Sequence, residues 1–285
     1  MDLLRTDDGL LLHLRRWPAR PTGPDGRVHG TVQIVHGLGE HIGRYESLAG
    51  VLSAAGWHVG GHDQRGHGRS EGERGAIPGL HALLADLGAV TDHLRSPGRH
   101  ILLGHSMGGL IAARFVAETL MNETRRWSRE VHGLVLSSPA LDPGVGRLRR
   151  VAVRLLSNLT PNLSLGNGLK PAWLSRSPDT VSRYIADPLV HDRITPRLAR
   201  FILEEGPIVQ LRAPRWRTPT LLLWGGADRC VSPRGSEAFA AAAPPQALTA
   251  RGWREAFHEI LNEPAPDGPA ALGELGRWLE RFHAA

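Results

Sequence analysis

The sequence of 285 residues predicts an α/β fold: a mostly parallel sheet with helices on both faces and one inserted helical cap. Short apolar runs alternate with stretches of helical periodicity, which is the order expected when parallel strands are joined by helices. One stretch, from about residue 140 to 218, has helical patterns and prolines but no convincing strand. It is too long for a simple connection, so we interpret it as an insertion.

The first half of the chain predicts four strands and three helices. Strands are expected at residues 10–17, 31–36, 57–63 and 100–104, and helices over 42–52, 80–94 and 107–120. The run TVQIVH at 31–36 is almost continuously apolar, as in a strand covered on both faces. The helices are inferred from apolar residues that recur on one face.

The second half predicts three more strands, at 131–137, 219–224 and 247–251, and a final helical stripe over 271–282. We therefore expect a core built from residues 1–139 and 216–285, with the cap at residues 140–215.

Composition narrows the function classes. Hydrophobic residues make up 41% of the chain, enough for a sizeable core, and the net charge is +6. Almost all positive charges are arginines, because Lys170 is the only lysine. This bias is consistent with a GC-rich coding sequence or with attraction to anionic lipids and acidic ligands. Nucleic acid is not expected as a partner, since no basic run is interleaved with aromatic residues.

Cysteine usage and the N-terminus suggest a cytoplasmic protein. Cys230 is the only cysteine, which excludes an internal disulfide and a metal–thiolate cluster. The first seventeen residues contain early acids and only a three-leucine run, which is typical of neither a signal peptide nor a membrane span.

The motif Gly104-His105-Ser106-Met107-Gly108 fits the pattern G-x-S-x-G between a predicted strand and a predicted helix. A serine in such a tight turn is forced toward positive φ, and glycines two residues away on either side avoid a collision. The alternative is that these glycines only form a strand-to-helix turn. We favour Ser106 as a nucleophile in an α/β-hydrolase fold.

A base and an orienting carboxylate are predicted at His258 and Asp228. In this fold the order along the chain is Ser, then Asp or Glu, then His. Asp228 follows the predicted strand PTLLLW, and only His258 and His283 lie beyond it. His258 precedes the last helix, whereas His283 is near the chain end. A loop-capping role for Asp228 and a surface position for His258 are the alternatives.

Two backbone amides are candidates for binding the oxyanion. The first is that of Met107, which follows the nucleophile, and the second is that of Leu38 in the turn HGLG after the strand at 31–36.

Several motifs together resemble the monoacylglycerol lipase and lysophospholipase group of α/β-hydrolases. The likeness runs from about Thr6 to Phe282 and rests on HGLGEHIGRY (36–45), GHDQRGHGRSEGER (61–74), GHSMGG (104–109), GGAD (225–228) and FHEILNE (257–263). Within the cap it continues through PNLSLG (161–166), LSR (174–176) and Y-x-x-DPLV (184–190). The resemblance implies hydrolysis of a monoacylglycerol to a fatty acid and glycerol, with Ser106, Asp228 and His258 as the triad.

The resemblance also implies a polar end of the site near the alcohol, formed by Glu40, Arg44, His105 and Tyr184. Two positions depart from the group. Leu38 is bulkier than the small residue common there, which predicts a narrower pocket. The sequence GGHDQRG replaces a strand that more often carries aromatic residues.

No metal or organic cofactor is expected. His41, His62 and His67 lie near the predicted site, but they lack the spacing of zinc ligands. Cys230 is close to Asp228 in sequence, and we interpret it as a buried, unreactive thiol.

Residues 147–159 form a basic amphipathic helix in the cap, with its apolar residues at positions 148, 151, 152, 155, 156 and 159. The apolar face is expected either to pack over the active site or to dock on a lipid surface as a peripheral membrane contact.

Other activities stay open at this point. A lysophospholipase, a general carboxylesterase or a thioesterase would use the same triad, and an acyltransferase would result if an alcohol replaced water. A non-catalytic α/β-hydrolase-like binding module is the alternative from another class.

Overall fold

The computed structural model describes residues 2–21, 26–120 and 125–283. Ten strands are present in this part of the chain: β1 Asp2–Arg5, β2 Leu11–Trp17, β3 Gly30–Val35, β4 Trp57–His62, β5 Arg99–His105, β6 Gly133–Ser137, β7 Leu165–Gly166, β8 Arg193–Ile194, β9 Thr220–Gly225 and β10 Leu248–Trp253.

Eight α-helices connect these strands: α1 Glu46–Ala54, α2 Ala82–Leu94, α3 Met107–Glu118, α4 Arg147–Leu159, α5 Pro178–Ala186, α6 Pro196–Arg212, α7 Pro233–Ala242 and α8 Asp267–Leu279. Short 3₁₀ helices occupy Ile42–Tyr45, Pro171–Trp173, Ala213–Arg215, Ile260–Asn262 and Glu280–Phe282. Among the residues described, no helix combines the length and the apolar character needed to cross a membrane.

The main sheet has the strand order β1-β2-β4-β3-β5-β6-β9-β10. β1 and β2 are antiparallel, as are β2 and β4, whereas every other neighbouring pair is parallel. The predicted mostly parallel sheet is therefore confirmed.

The register brings the carboxyl ends of the central strands to one edge. Val35 of β3 pairs with Gly104 of β5, His105 pairs with Ser137 of β6, and Ser137 pairs with Leu223 of β9. The loops that follow these strands consequently start side by side, which is where ligands bind in open α/β sheets.

Side chains that alternate along the strands contribute to two apolar layers, one on each face of the sheet. Leu102 of β5 packs on one face with Phe115 of α3 and Phe201 of α6. Its neighbour Leu103 packs on the other face with α1 and with Trp278 of α8. Because both faces are covered, the central strands are buried along almost their whole length.

The predicted cap, residues 140–215, lies between β6 and β9 and contains α4, α5 and α6. It also contains an antiparallel pair, β7 with β8, only two residues long on each side, which the sequence analysis did not predict. A buried ion pair joins this segment to the core, because Nε of Arg114 in α3 donates to Oε2 of Glu205 in α6 at 2.6 Å.

Candidate active site

Ser106 lies in the sharp turn between β5 and α3, with φ 54° and ψ −120°. This left-handed conformation is rare for any residue other than glycine. Three hydrogen bonds hold it: the Ser106 N–H donates to Ser137 O, and its carbonyl accepts from the N–H groups of Leu110 and Ala140, each at 3.0 Å. The backbone thus presents the Ser106 side chain at the carboxyl edge of the sheet.

The flanking glycines are required by close backbone contacts. A Cβ added at Gly104 would lie 2.5 Å from the carbonyl oxygen of Gly108, and one added at Gly108 would lie 2.0 Å from that of Val35. The first turn of α3 therefore packs directly against the end of β3, as the motif predicted.

Asp228 and His258 form a buried hydrogen-bonded pair. The distance from Nδ1 of His258 to Oδ2 of Asp228 is 2.6 Å, and the other carboxylate oxygen accepts from the N–H groups of Cys230 (2.8 Å) and Val231 (3.1 Å). Since a carboxylate accepts hydrogen bonds, Nδ1 of His258 carries the proton and Nε2 is left to act as a base.

Opposing effects act on the imidazole of His258. Burial disfavours its charged form, but the charge and the hydrogen bond of Asp228 outweigh burial, with smaller contributions from Glu259 and Glu40, so the pKa of His258 is raised.

The ring of His105, which directly precedes Ser106, packs 4.7 Å from the ring of His258 between centroids. In the described part of the chain, no hydrogen bond joins the Ser106 hydroxyl to His258. Such contacts often form only when substrate is bound.

The turn after β3 faces Ser106. A Cβ built on Gly37 would lie 3.2 Å from the Cβ of Ser106, so the two loops are in direct contact. Within the described residues, the N–H groups of Leu38 and Met107 donate to no loop, turn or side-chain acceptor, which leaves both for a ligand.

Glu40 holds this turn in place. Its Oε1 accepts from the Gly37 N–H at 2.6 Å and from the Tyr45 hydroxyl at 2.8 Å. Burial would raise the pKa of Glu40, but the Arg44 guanidinium lowers it to about 2. The carboxylate therefore stays charged as a fixed support under the HGLG turn.

An apolar cavity of about 270 Å³ opens beside Ser106. Core and cap both contribute to its wall, which is formed by Leu38, Ser106, Met107, Ala140, Pro143, Val145, Val153, Asn167, Leu169, Ile194, Ala199, Ile202, Leu203, Cys230 and Val231. Leu38 is part of this wall. The sequence analysis expected its bulk to narrow the pocket, and its position in the wall is consistent with that expectation. No carboxylate is among these residues.

Of the four residues expected at a polar end, Glu40 and Tyr184 contact Arg44, and His105 lines the same small cavity as Glu40 and Arg44. Arg44 makes ion pairs with Glu40 (2.6 Å) and with Glu259 (2.8 Å), and its guanidinium lies 4.8 Å above the ring of Tyr184 from α5. Nδ1 of His105 lies 3.1 Å from Ser137 O. Glu40, Arg44 and His105 border a small cavity of about 30 Å³, which is room for a water-sized group.

The sequence analysis missed Glu259. Glu259 directly follows the predicted base, and this adjacency was the available signal. Cys230, expected to be a buried thiol, is half-buried beside the Asp228–His258 pair, and its sulfur and single atoms of Asp228 and His258 lie within 4.8 Å of one another. Burial raises the pKa of the thiol, and Asp228 is already bonded to His258, so these residues fit a hydrogen-bonded triad better than a metal site.

The apolar side of α4 is exposed. Leu148, Leu155 and Leu159 have exposed fractions of 88%, 58% and 77%, and Ser157 is the residue of this helix that is buried. The side that faces the protein is mixed: Arg150 bonds to Asp142, Val153 lines the cavity beside Ser106, and Ser157 is buried. At the border of this side, Arg154 bonds to Glu204 of α6. Packing of the leucines over the active site, one of the two expectations, is wrong.

Sequence comparison relates the chain to lipid hydrolases. Residues 26–265 match the family described as Hydrolase_4, serine aminopeptidase S33. The chain is 31% identical to a monoglyceride lipase of Rattus norvegicus (95% of this chain, 88% of that protein) and 32% identical to a monoacylglycerol lipase of Mycolicibacterium smegmatis (90% of each).

Two further relatives differ in name or length. A phospholipase of Bacillus subtilis is 28% identical, over 84% of this chain and 91% of that protein. An uncharacterized abhydrolase domain-containing protein of Dictyostelium discoideum is 31% identical over 91% of this chain, which spans 27% of that much longer protein.

Solved structures show the same fold. A Paleococcus ferrophilus monoacylglycerol lipase superposes with a TM-score of 0.82 at 35% identity, covering 95% of this chain and 99% of that one. A soluble variant of a Saccharomyces cerevisiae monoglyceride lipase, in complex with a substrate analogue, superposes with a TM-score of 0.87 at 20% identity, covering 100% and 96%.

Proposed function

The chain belongs to the Hydrolase_4 family of α/β-hydrolases, described as serine aminopeptidase S33, and on that basis we propose that it hydrolyses monoacylglycerols through Ser106. The observation that carries the proposal is the opening of an apolar cavity beside the Ser106 turn, with the bonded Asp228–His258 pair nearby. An apolar cavity suits an acyl chain, because burial of each methylene stabilises binding by about 0.8 kcal/mol.

The reaction has two halves. His258, oriented by Asp228, takes the proton of the Ser106 hydroxyl as its oxygen attacks the ester carbonyl. The amides of Leu38 and Met107 stabilise the tetrahedral oxyanion, each by about 3 to 4 kcal/mol in comparable sites. His258 then protonates the departing glycerol oxygen, and water releases the fatty acid from the acyl-enzyme by the same steps.

The family description names a peptidase, and the cavity favours an ester instead. An aminopeptidase must bind the free ammonium group of its substrate, for which a carboxylate in the pocket is the ordinary partner. The residues described around the cavity include no carboxylate, and Glu40 and Glu259 are already paired with Arg44.

Labelling with a fluorophosphonate tests the nucleophile. We expect modification of the wild type and none of Ser106→Ala. The matched control is Ser138→Ala, because Ser138 is also buried and also has positive φ (42°), and this variant should still be labelled. Labelling of Ser106→Ala would remove Ser106 from its role.

A substrate panel tests the class of ester. It comprises 1- and 2-monoacylglycerols, lysophospholipids, short p-nitrophenyl esters, acyl-CoA and aminoacyl amides. We expect monoacylglycerols with medium to long chains to be hydrolysed fastest. The Bacillus subtilis relative makes a lysophospholipase the second candidate, and a preference for lysophospholipids would select it with the mechanism unchanged.

We further propose that residues 140–215 act as a cap that docks on anionic lipid surfaces through α4. The exposed leucines supply the apolar contact. This segment contains twelve Arg and Lys against six Asp and Glu, so it carries the whole net charge of +6, whereas the rest of the chain is balanced at 22 and 22. A cytoplasmic protein with reversible membrane contact would have these properties.

Vesicle co-sedimentation tests docking. Replacing both Leu155 and Leu156 by serine should reduce binding to anionic vesicles and activity on liposomal substrate. Leu211→Ser is the control, because Leu211 is 74% exposed but lies on α6. If both measurements are unchanged in the double variant, docking through this face is wrong.

A further inference from the structure

Arg44 joins two buried carboxylates, one of which, Glu259, is on the loop that carries His258. Its NH1 contacts Oε2 of Glu40 at 2.6 Å, and its NH2 contacts Oε1 of Glu259 at 2.8 Å. The exposed fractions of these side chains are 12% for Arg44, 5% for Glu40 and 4% for Glu259. Two carboxylates and one guanidinium leave one net negative charge, in addition to that of Asp228.

This cluster is held from several directions. Glu40 accepts from the Gly37 N–H, which fixes it to the turn after β3. Glu259 accepts from Nδ2 of Asn262 at 2.8 Å, and its backbone N–H donates to Leu174 O in the cap at 2.7 Å. Charges fixed in this way need little rearrangement when a new charge forms nearby.

We infer that Glu259, held by Arg44, is a positioning residue that stabilises the protonated His258 formed during attack by Ser106. This inference rests on the proposed function and assigns a task to a carboxylate outside the triad. The imidazolium forms where the net charge of its surroundings is negative, and the buried location weakens screening of that attraction.

The direction of the effect on His258 depends on the sum of the titratable and charged groups around it. Asp228, Cys230 and His105 lie directly beside His258. The cluster of Glu40, Arg44 and Glu259 borders the small cavity that His105 also lines, and Arg44 lies over the ring of Tyr184 of α5. Arg44 is the cation among them, and it is shared by two carboxylates. The raised pKa of His258 agrees with this balance, in which Glu259 and Glu40 add to Asp228 against burial.

The decisive experiment is the pH profile of kcat/KM for Glu259→Gln, which keeps the shape of the side chain and removes its charge. A p-nitrophenyl ester, read at the isosbestic wavelength of the product, allows measurement from about pH 5 to about pH 9. Activity is lost at acid pH when His258 becomes protonated. Without the charge of Glu259 protonation is harder, so the acid limb should move to lower pH.

The rate on the plateau should fall at the same time. We expect a loss of about tenfold, less than the ~10²-fold or more that follows removal of a direct oxyanion donor. A purely structural role would lower the plateau of kcat/KM and leave the acid limb of the pH profile in place. An acid limb that is unmoved, or displaced to higher pH, would therefore overturn the inference.

Two further variants complete the test. Glu255→Gln removes the same charge from the same loop at a side chain that is 72% exposed and paired only with its neighbour Arg254 in the described structure, and it should leave both limb and plateau unchanged. Glu259→Asp keeps the charge, so it should retain the wild-type limb, which separates charge from shape even if Glu259→Gln folds poorly.

Fluorophosphonate labelling of the same preparations separates this inference from the proposed function. A wild type that is not labelled at Ser106 would refute the proposed function. Labelling at Ser106 together with an unmoved limb would refute the role of Glu259 alone.

Discussion

The helices α3 and α4 have similar lengths and opposite surroundings. Every residue of α3, from Met107 to Glu118, is buried, including its arginine and its glutamate. In α4 only Ser157 is buried, and the leucines point outward. Periodicity therefore reveals that a helix has an apolar face, but not whether that face meets the protein or the surroundings.

The arginines of the two helices are also paired differently. Arg114 of α3 finds Glu118 and Glu205 inside the protein, so a charge is tolerated in a buried helix. In α4, Arg150 pairs with Asp142 and Arg154 with Glu204, and these pairs are partly exposed. Partners such as Glu205 and Glu204 of α6 lie far along the chain, where helical periodicity does not reveal them.

The largest loss of stability is expected when the buried ion pair of α3 is broken. Arg114→Met should reduce the free energy of unfolding by about 3 to 5 kcal/mol, because Glu205 would be buried without its partner and Glu118 would keep only a 3.6 Å contact with Arg125. Arg154→Met in α4 removes an ion pair whose arginine is 64% exposed, and should cost at most about 1 kcal/mol. Urea denaturation measures both free energies of unfolding, provided that the slope with denaturant is unchanged. Equal losses in the two variants would contradict the difference between α3 and α4 described above.

The same leucine substitution should have unequal effects in the two helices. Leu110→Ala in α3 removes a fully buried side chain and should cost about 2 to 5 kcal/mol. Leu155→Ala in α4 should change the free energy of unfolding by no more than about 0.5 kcal/mol. A large loss for Leu155→Ala would show that the leucine face of α4 is packed in solution.

Lowering the pH should reduce the stability of the fold through buried histidines of the core, whereas α4 contains no histidine. Burial lowers the pKa of His62 to about 3 and that of His100 to about 4. Since the unfolded chain binds these protons near pH 6.5, stability is complete above that pH and is lost as the pH falls from there toward the folded values. Each histidine contributes about 1.4 kcal/mol per pH unit in this window.

His62→Asn tests this dependence. Between about pH 6.5 and about pH 5, the variant should lose stability less steeply than the wild type, by roughly one bound proton. The readout is the slope of stability against pH and not the stability itself. Identical slopes would mean that His62 is not held neutral.

Much of the fold was predictable because buried parallel strands leave long apolar runs. The predicted strands at 31–36, 100–104 and 219–224 correspond to β3, β5 and β9 within about two residues. The resemblance to the monoacylglycerol lipase and lysophospholipase group, and with it a carboxylic ester hydrolase, is confirmed by the family match and the relatives.

The missed elements carry weak signals. β1 is a four-residue edge strand with alternating exposure, stabilised by pairing with β2 and not by burial. α7 contains a proline, a glycine and several alanines, so its apolar periodicity is poor. The strands β7 and β8 are two residues long and depend on a contact between distant parts of the cap.

The candidate site was predictable where a motif encodes backbone geometry. The glycines around Ser106 indicate a turn that only glycine permits, and the structure has that turn. The roles of Ser106, Asp228 and His258 stay predictions until labelling and kinetics are done. Glu259 could not be assigned from sequence, because its position relative to Arg44 depends on contacts across 215 residues.

The backbone conformation of Ser106 carries a cost in folding free energy. At φ 54° a side chain strains the backbone, and replacing it by glycine would relieve a cost on the order of 1 kcal/mol. Under the proposed function, Ser106→Gly should abolish turnover while it releases this strain from the folded state. The turn that costs the fold free energy is then the same turn that presents the side chain for reaction.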